Sequence, residues 1–208
     1  SDDPGTLMTS NVPASFDDTA LTTLTPFIHE GSGYTARIPF QAETPHEGDA
    51  VISPSGRLLM SRMSADGNEQ SGVRLRRIDA TPVGNSYEIM LPIVAEYCLT
   101  TTKVNFSFDE RFVVFHRYVT DADAVGLGFE SAEDPGFADY RTEGAANLFV
   151  LDLLDGTEHR ITHMQPGQYA LFAHFRSDGL IYFVVKGSGG ENVERIAATD
   201  AALILAAP

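Results

Sequence analysis

The most informative segment of this 208-residue chain is 147–156, which reads NLFVLDLLDG. Four apolar residues follow Asn147, and Asp155 and Gly156 supply turn chemistry after them. A short apolar run bounded by turn residues is typical of a β-strand. Helical periodicity is nearly absent from the chain, so the sequence predicts an all-β protein. Comparable strand-like runs lie at 57–63, 73–78, 112–119 and 180–185.

Three segments of the chain repeat one pattern of strand, tight polar turn and strand, and they lie at 51–60, 105–114 and 174–183. A unit that recurs buries its apolar face against copies of itself. Each segment is followed by two further strand-like runs, which predicts antiparallel units of four strands. The last of these runs also fits a short helix. The paired third and fourth runs are 73–79 with 87–91, 147–153 with 158–162, and 193–198 with 202–205.

The spacing of the repeats predicts a β-propeller with insertions. The aligned turns at Gly56, Glu110 and Gly179 lie 54 and 69 residues apart, whereas a lean propeller blade needs roughly 40 to 45 residues. Because a ring typically needs about 4 to 8 blades, we expect either about four blades or a piece of a larger ring. The expected divisions are a flexible tether at 1–22 and one propeller domain at 23–208, with blades near 23–49 (degenerate), 50–95, 103–163 and 170–206.

Short motifs in two units add a family resemblance. The turn SPSGR at 53–57 and the segment at 147–156, followed by RIT at 160–162, resemble the blades of the TolB-like β-propellers built from PD40 (WD40-like) repeats. The turn at 107–111 departs from that pattern because it lacks Pro and Gly. The resemblance implies blade architecture, and it implies a periplasmic or other extracytoplasmic bacterial location that is compatible with a lipid anchor upstream. A shared fold specifies function poorly.

The charge of the chain restricts its partners. With 14 basic and 29 acidic residues, the formal net charge is -15. Such a charge repels phosphate backbones, so nucleic acid is not an expected partner. The sequence contains no apolar run of 18 residues, so no membrane span is expected in this segment. The expectation of a protein partner rests instead on the long acidic insertion described next.

The longest insertion, at 120–146, is the candidate binding segment. The insertion is rich in acidic residues and has a single basic residue, Arg141, and aromatic residues are interleaved with the acidic ones. Loops of this length are usually functional or disordered. Three interpretations stay open: contact with a cationic or peptide partner, oxygen ligands for Ca²⁺, or a solvated structural lobe. The candidate contact residues are Asp121, Asp123, Phe129, Glu130, Glu133, Asp134, Phe137, Asp139 and Tyr140.

Candidates for a metal site are few. His159 and His163 lie four residues apart, a spacing that places both on one face of a strand, and Asp121 and Asp123 begin like a calcium loop. Zinc would need further ligands that the sequence does not identify. The chain has no Gly-x-Ser-x-Gly motif and no phosphate-binding loop, since the glycines at 187–190 fit a hairpin turn. We therefore predict no cofactor, with Ca²⁺ as the alternative, and no catalytic residues.

Two smaller features complete the sequence-based expectations. Arg74 and Arg76 alternate with apolar residues, so we expect both on one exposed strand face that is solvated or salt-bridged. Cys98, the single cysteine, lies in an apolar setting and is expected to be a small buried residue of a strand. Together these observations favour a non-enzymatic extracytoplasmic protein-interaction or scaffold propeller. The alternatives are a propeller enzyme or metal-binding domain that acts on a small substrate or glycan, and a structural domain of a larger enzyme.

Overall fold

The structure is a computed structural model that describes residues 6–11, 16–84, 86–187 and 194–207. Most of these residues form β-strands in several antiparallel sheets, which confirms the prediction of a mostly β protein. The chain divides into two compact units, Ser1–Thr101 and Thr102–Pro208. No helix in the described ranges has the length and apolar character needed to cross a membrane. The number of blades and the closure of a ring stay predictions.

The first unit contains ten strands within its described residues. In chain order these are β1 (Thr6–Asn11), β2 (Leu21–Glu30), β3 (Gly33–Ala36), β4 (Phe40–Glu43), β5 (Glu47–Ile52), β6 (Leu58–Ser64), β7 (Gln70–Arg77), β8 (Asp79–Val83), β9 (Ser86–Met90) and β10 (Ile93–Tyr97).

These ten strands make three sheets. One has the order β1-β2-β3 with β4 also on β2, the second has the order β10-β7-β6-β5, and the third is the hairpin β8-β9. Leu24, Leu59, Ile78 and Ile89 form the buried core that the three sheets share. Strand β1 lies inside the segment expected to be a flexible tether, where it pairs with β2 from Thr6↔Ile28 to Asn11↔Thr23. Residues 1–5 and 12–15 of that segment lie outside the described residues.

The structure corrects the expected fourth strand of the 50–95 unit. The run at 87–91 pairs with β8 in the separate hairpin, and β10 takes the place beside β7. The change of partner occurs at Pro92. Its carbonyl accepts a hydrogen bond from the Arg77 N–H just before β10 begins. Cys98 follows β10 and is exposed, so the expectation that it is buried within a strand is wrong.

A buried ion cluster occupies one face of this second sheet. Glu47 is fully buried, and its carboxylate accepts hydrogen bonds from Arg76 (2.6 and 3.1 Å), Arg74 (2.6 Å) and Ser61. Arg74 and Arg76 do share a strand face and are salt-bridged, but Arg76 is buried, so the expectation of an exposed face is wrong. The reason is that Glu47, 29 residues away in sequence, lies against this face.

The second unit contains seven strands and two short α-helices within its described residues. They are β11 (Asn105–Phe106), β12 (Phe112–Tyr118), α1 (Ala138–Glu143), β13 (Ala146–Asp152), β14 (Glu158–Arg160), β15 (Gln168–Phe175), β16 (Ile181–Gly187), β17 (Glu194–Thr199) and α2 (Ala201–Ala206). The last strand expected at 202–205 is therefore wrong, because the Ala- and Leu-rich residues form helix α2. Val193 and residues 188–190 of the expected glycine turn lie outside the described residues.

The sheet of the second unit has two antiparallel parts. Strands β11 to β14 follow one another in order, and β15 to β17 do the same. The two parts are joined by a single parallel pair, Ala146↔Tyr169. Alternate residues of both parts meet in one core, which holds Phe112, Val114, Leu148, Val150, Ile181 and Phe183. Strands β11–β14 lie within the range 103–163, and that they form one propeller blade stays a prediction.

The three repeated turns have the same geometry. Gly56, Glu110 and Gly179 all have positive φ angles, of 73°, 59° and 82°. In each turn the N–H of that residue donates to the carbonyl three residues earlier, at 2.9, 3.0 and 2.9 Å. The shared conformation supports the alignment of the repeats, including the middle turn, where Glu110 replaces the glycine that a positive φ favours.

Candidate functional site

The insertion between β12 and β13 folds into an ordered lobe, which we call the acidic lobe (residues 120–146). It consists of 3₁₀ turns at Asp121–Asp123, Val125–Leu127 and Pro135–Phe137, followed directly by helix α1. Side chains of the lobe accept hydrogen bonds at the first residues of its turns. The Asp123 carboxylate accepts from the Thr120 N–H (2.9 Å) and hydroxyl (3.0 Å), and the Asp134 carboxylate accepts from the Gly136 N–H (2.8 Å).

The lobe has an aromatic core of its own. The rings of Phe129, Phe137 and Tyr140 are in mutual contact, with centroid distances of 5.5 to 5.8 Å. Phe137 and Tyr140 are buried, and Phe129 is half-buried. The Tyr140 hydroxyl donates to the Met164 carbonyl (3.1 Å), which ties this core to the segment after β14. These rings therefore stabilise the lobe from within.

Ion pairs fix the two ends of the lobe. Arg141 of α1 binds both carboxylate oxygens of Asp121, at 2.8 and 3.0 Å. The hydrogen bond from Arg141 lowers the pKa of Asp121 below its ordinary value. At the base of the lobe, Arg117 of β12 lies 3.3 Å from the Asp123 carboxylate, and Arg160 of β14 donates to the Gly126 carbonyl. The single cation of the insertion is thus used internally.

The nine predicted contact residues divide into three sets. Phe129, Phe137 and Tyr140 form the aromatic core, and Asp121, Asp123 and Asp134 cap turns or pair with arginine. The remaining three carboxylates, of Glu130, Glu133 and Asp139, are exposed, and within the described part of the chain they make no hydrogen bond or ion pair. Glu143, which the prediction omitted, is exposed as well. The surface of the lobe is therefore acidic, while its aromatic residues face inward.

The metal candidates do not converge. Asp121 and Asp123 are engaged as described, His159 lies half-buried on β14, and His163 is exposed beyond the end of that strand. Across the described residues, no group of three or more His, Cys, Asp or Glu side chains is placed to hold a metal ion. Ca²⁺ binding and the absence of a cofactor stay predictions.

A second cluster, at the root of the acidic lobe, escaped the sequence analysis. We call it the aromatic group: His116 and Tyr118 on β12, and Tyr169 and Phe172 on β15. The His116 ring lies 5.9 Å from Tyr118 and 5.6 Å from Phe172, and Tyr118 lies 6.3 Å from Tyr169. Alternation along β12 places His116 and Tyr118 on one face, but no sequence signal linked them to a strand 50 residues later.

His116 is the most unusual titratable residue of this group. It is 3% exposed, and its Nδ1 atom has no hydrogen-bond partner among the described residues. Burial lowers the pKa of His116 to about 4, because a charged imidazolium loses its hydration there. The imidazole is therefore uncharged at neutral pH.

A pocket of about 200 Å³ lies where the 107–110 turn, the 176–179 turn and α2 meet. Phe108, Phe175 and Leu203 supply much of its apolar lining. Asp109 is the single carboxylate among the lining residues, and it accepts a hydrogen bond from the Ser107 hydroxyl at 2.5 Å. The lining thus combines apolar side chains with one carboxylate and one guanidinium, that of Arg176.

Comparisons with known proteins leave the family open. No protein family and no curated protein matches the chain. Among solved structures it is similar to an acylaminoacyl peptidase (11% identity, TM-score 0.35, covering 95% of this chain and 43% of that one). It is also similar to a Synechocystis apocarotenoid oxygenase mutant (11%, 0.37, 93% and 46%) and to the β-propeller domain of the Trilobed protease from Pyrococcus furiosus (8%, 0.32, 92% and 83%).

The chain spans about half the length of several of the structures it matches, from 43% to 54%. Because all of these TM-scores lie below 0.5, the likenesses carry no argument about the chemistry or partners of this chain.

Proposed function

We propose that this chain is a non-enzymatic protein-interaction domain whose acidic lobe binds a partner with a basic surface. The proposal rests on the different roles of the aromatic and the acidic side chains of the lobe. Its aromatic side chains form an internal core, whereas the carboxylates of Glu130, Glu133 and Asp139 are exposed and make no hydrogen bond or close ion pair within the described residues. Ordering a 27-residue insertion costs conformational entropy, and the ordered insertion presents an acidic surface.

Electrostatics support a basic partner. The formal net charge of -15 adds a long-range attraction for cationic surfaces, which raises association rates, and the exposed carboxylates supply local complementarity. We further propose that β11–β14 is one blade of a TolB-like propeller and that the protein acts outside the bacterial cytoplasm. The consecutive antiparallel order of these strands and the shared geometry of the repeated turns support the blade.

The test compares two variants of equal charge. Glu130→Gln, Glu133→Gln and Asp139→Asn together change the formal charge from -15 to -12, because each removes one negative charge. The control combines Glu43→Gln, Glu69→Gln and Glu88→Gln, three exposed carboxylates of the first unit, and gives the same -12. Both proteins keep the aromatic core of the lobe and should give wild-type circular dichroism.

Partners are captured from an extract of the source organism, identified by mass spectrometry, purified, and titrated against all three proteins. We expect the lobe variant to bind the identified partner at least about tenfold more weakly, as two or more lost charge contacts would produce, and the control to stay within twofold of wild type. Equal weakening in both variants, or none in the lobe variant, would refute the acidic lobe as the contact surface.

A further inference from the structure

The rings of the aromatic group at the root of the acidic lobe contact one another edge to face. Its three ring contacts are all close to perpendicular, with interplanar angles of 75° for His116 and Tyr118, 69° for His116 and Phe172, and 64° for Tyr118 and Tyr169. Tyr118 and Phe172 are 51% and 52% exposed, and His116 lies buried between them. The two outer rings therefore present accessible aromatic surface next to a buried imidazole.

The backbone at Phe172 is strained in the conformation that holds this ring in place. Its φ angle is +54°, a region that bulky L-residues rarely adopt. The strain coincides with a shift of the β15–β16 register between Leu171 and His174. A strained backbone costs free energy, and residues held in such conformations cluster at active sites and ligand clamps.

The charges around the group favour a cation. The faces of aromatic rings are electron-rich and attract cations, and His116 is uncharged at neutral pH, so it does not repel one. The Tyr169 hydroxyl donates to the Glu143 carbonyl, which places the group beside the acidic lobe. Lys186 is opposite Tyr169 in the β15–β16 pairing and lies 3.7 Å from the Glu194 carboxylate.

We propose that the aromatic group binds the trimethylammonium head of an organic cation between Tyr118 and Phe172, above His116. Quaternary ammonium groups are recognised by aromatic cages, in which the cation lies over the ring faces. Nδ1 of His116, which has no partner among the described residues, supplies a hydrogen-bonding atom for a hydroxyl or amide next to the head group. The proposal goes beyond the function assigned to the acidic lobe, because it concerns a different ligand and different side chains.

The test is a titration of the whole chain with choline, followed by the chemical shift of the ligand methyl protons. Its uncharged isostere, 3,3-dimethylbutan-1-ol, has the same shape and measures the contribution of charge. The variants are Tyr118→Ala and Phe172→Ala. Tyr34→Ala is the matched control, because Tyr34 is 48% exposed and its ring also contacts a histidine, His29, at 5.2 Å and 72°.

We expect saturable choline binding, at least about tenfold weaker binding of the isostere, and a loss of about fivefold or more in each ring variant. Tyr34→Ala should bind choline like the wild type. Titration with a peptide that contains Nε-trimethyllysine identifies the source of the head group: tighter binding than choline assigns it to a modified protein, and weaker binding assigns it to a small molecule.

Equal affinity for choline and its isostere, or undiminished binding in both ring variants, would overturn the proposal. Circular dichroism excludes misfolding as the reason for a loss. The result is independent of the acidic-lobe test, since Glu130, Glu133 and Asp139 are unchanged here and the rings are unchanged there. Either proposal can therefore fail alone.

Discussion

Nη2 of Arg76 on β7 lies 2.6 Å from Oε1 of Glu47 on β5, across the face of the intervening strand β6. Both residues are shielded from solvent: Glu47 is fully buried and Arg76 is 8% exposed. Arg74 and Ser61 complete the coordination of the carboxylate, and Nη1 of Arg76 donates to the Leu91 carbonyl at 2.6 Å. Removal of one member of such a buried pair strongly destabilises the fold, because the other charge is left buried without compensation.

The first prediction follows from that pair. Glu47→Gln should lower the free energy of unfolding at pH 7 by about 3 to 5 kcal/mol, because it leaves the Arg76 charge buried without compensation. Urea unfolding followed by far-UV circular dichroism measures the change. Glu96→Gln is the control, since Glu96 binds the same Arg74 from a half-exposed position, and we expect it to cost about 0 to 1 kcal/mol.

The effect of Glu47→Gln should also depend on pH. Burial alone would raise the pKa of Glu47, but hydrogen bonds from Arg76, Ser61 and Arg74 outweigh it and lower the pKa. A carboxylate with a lowered pKa stabilises the fold above the ordinary value of about 4.3, and the contribution is lost as the pH falls through the lower folded pKa. The difference between wild type and variant should therefore narrow below about pH 4. A constant difference down to pH 3 would contradict this account.

The second prediction concerns the motif at 147–162. Oδ1 of the buried Asn147 accepts from the Met164 N–H (2.8 Å) and the Thr162 hydroxyl (3.2 Å), and Thr162 Oγ1 accepts from the Leu148 N–H (2.8 Å). Asn147→Ala should cost about 1 to 3 kcal/mol, because it strands these donors away from water. Thermal unfolding measures the loss.

Coupling within this network separates it from simple packing. Asn147→Ala combined with Thr162→Val should cost less than the sum of the two single changes, since the residues act in one network. Thr162→Ser keeps the hydroxyl and serves as the control with a small effect. Strict additivity would show that the hydrogen bonds do not act together.

Local sequence predicted the elements whose signals are local. The segment at 147–156 forms β13 and its turn as expected, and the three aligned turns share one conformation. The inward packing of the lobe aromatics also had a signal, because Phe137 and Tyr140 are three residues apart, the spacing of one helix face. The many acidic residues around these two aromatics instead favoured the prediction of an exposed contact surface.

Features that depend on distant contacts were not predictable in the same way. The burial of Arg76 is decided by Glu47, and the aromatic group joins β12 to β15 across an insertion. Strand β10, and not the run at 87–91, takes the place beside β7 in the second sheet. Both runs are strand-like, so local sequence does not decide between them. Alternation assigns side chains to a face of a strand, but it does not say what that face contacts.

The third prediction is a pH dependence of stability from His116. Its folded pKa of about 4 lies below the ordinary 6.5, so the unfolded chain binds a proton at a higher pH than the folded chain does. Stability should therefore fall as the pH decreases from 6.5 to 4, by an amount on the order of 3 kcal/mol. His116→Phe should remove that part of the slope in urea unfolding.

The comparison for His116 uses slopes, so a constant packing cost of the larger ring does not affect it. His163→Gln, at an exposed position, is the matched control for the loss of a histidine. An NMR titration of the His116 ring checks the pKa directly. A midpoint near 6.5 would show that the imidazole is hydrated in the folded protein, and the predicted slope would then be absent.

The fourth prediction exploits the middle repeated turn. Glu110 has a φ of +59° where the other two turns have Gly56 and Gly179. The left-handed conformation costs an L-residue about 1 to 2 kcal/mol, and glycine loses about 0.5 to 1 kcal/mol more backbone entropy on folding. Glu110→Gly should therefore be more stable than Glu110→Ala by about 0.5 to 1 kcal/mol, because both variants lack the carboxylate and only the alanine keeps the strain.

The reverse change in the third turn should have the opposite sign. Gly179→Ala places a Cβ at φ +82° and 2.7 Å from Cδ2 of Leu203 on α2, so we expect a loss of at least about 1 kcal/mol. Thermal unfolding of the three variants measures both effects on one scale. If Glu110→Gly and Glu110→Ala shift the midpoint equally, the side chain and not the backbone sets the energy of this turn, and the equivalence of the three turns would be geometric without being energetic.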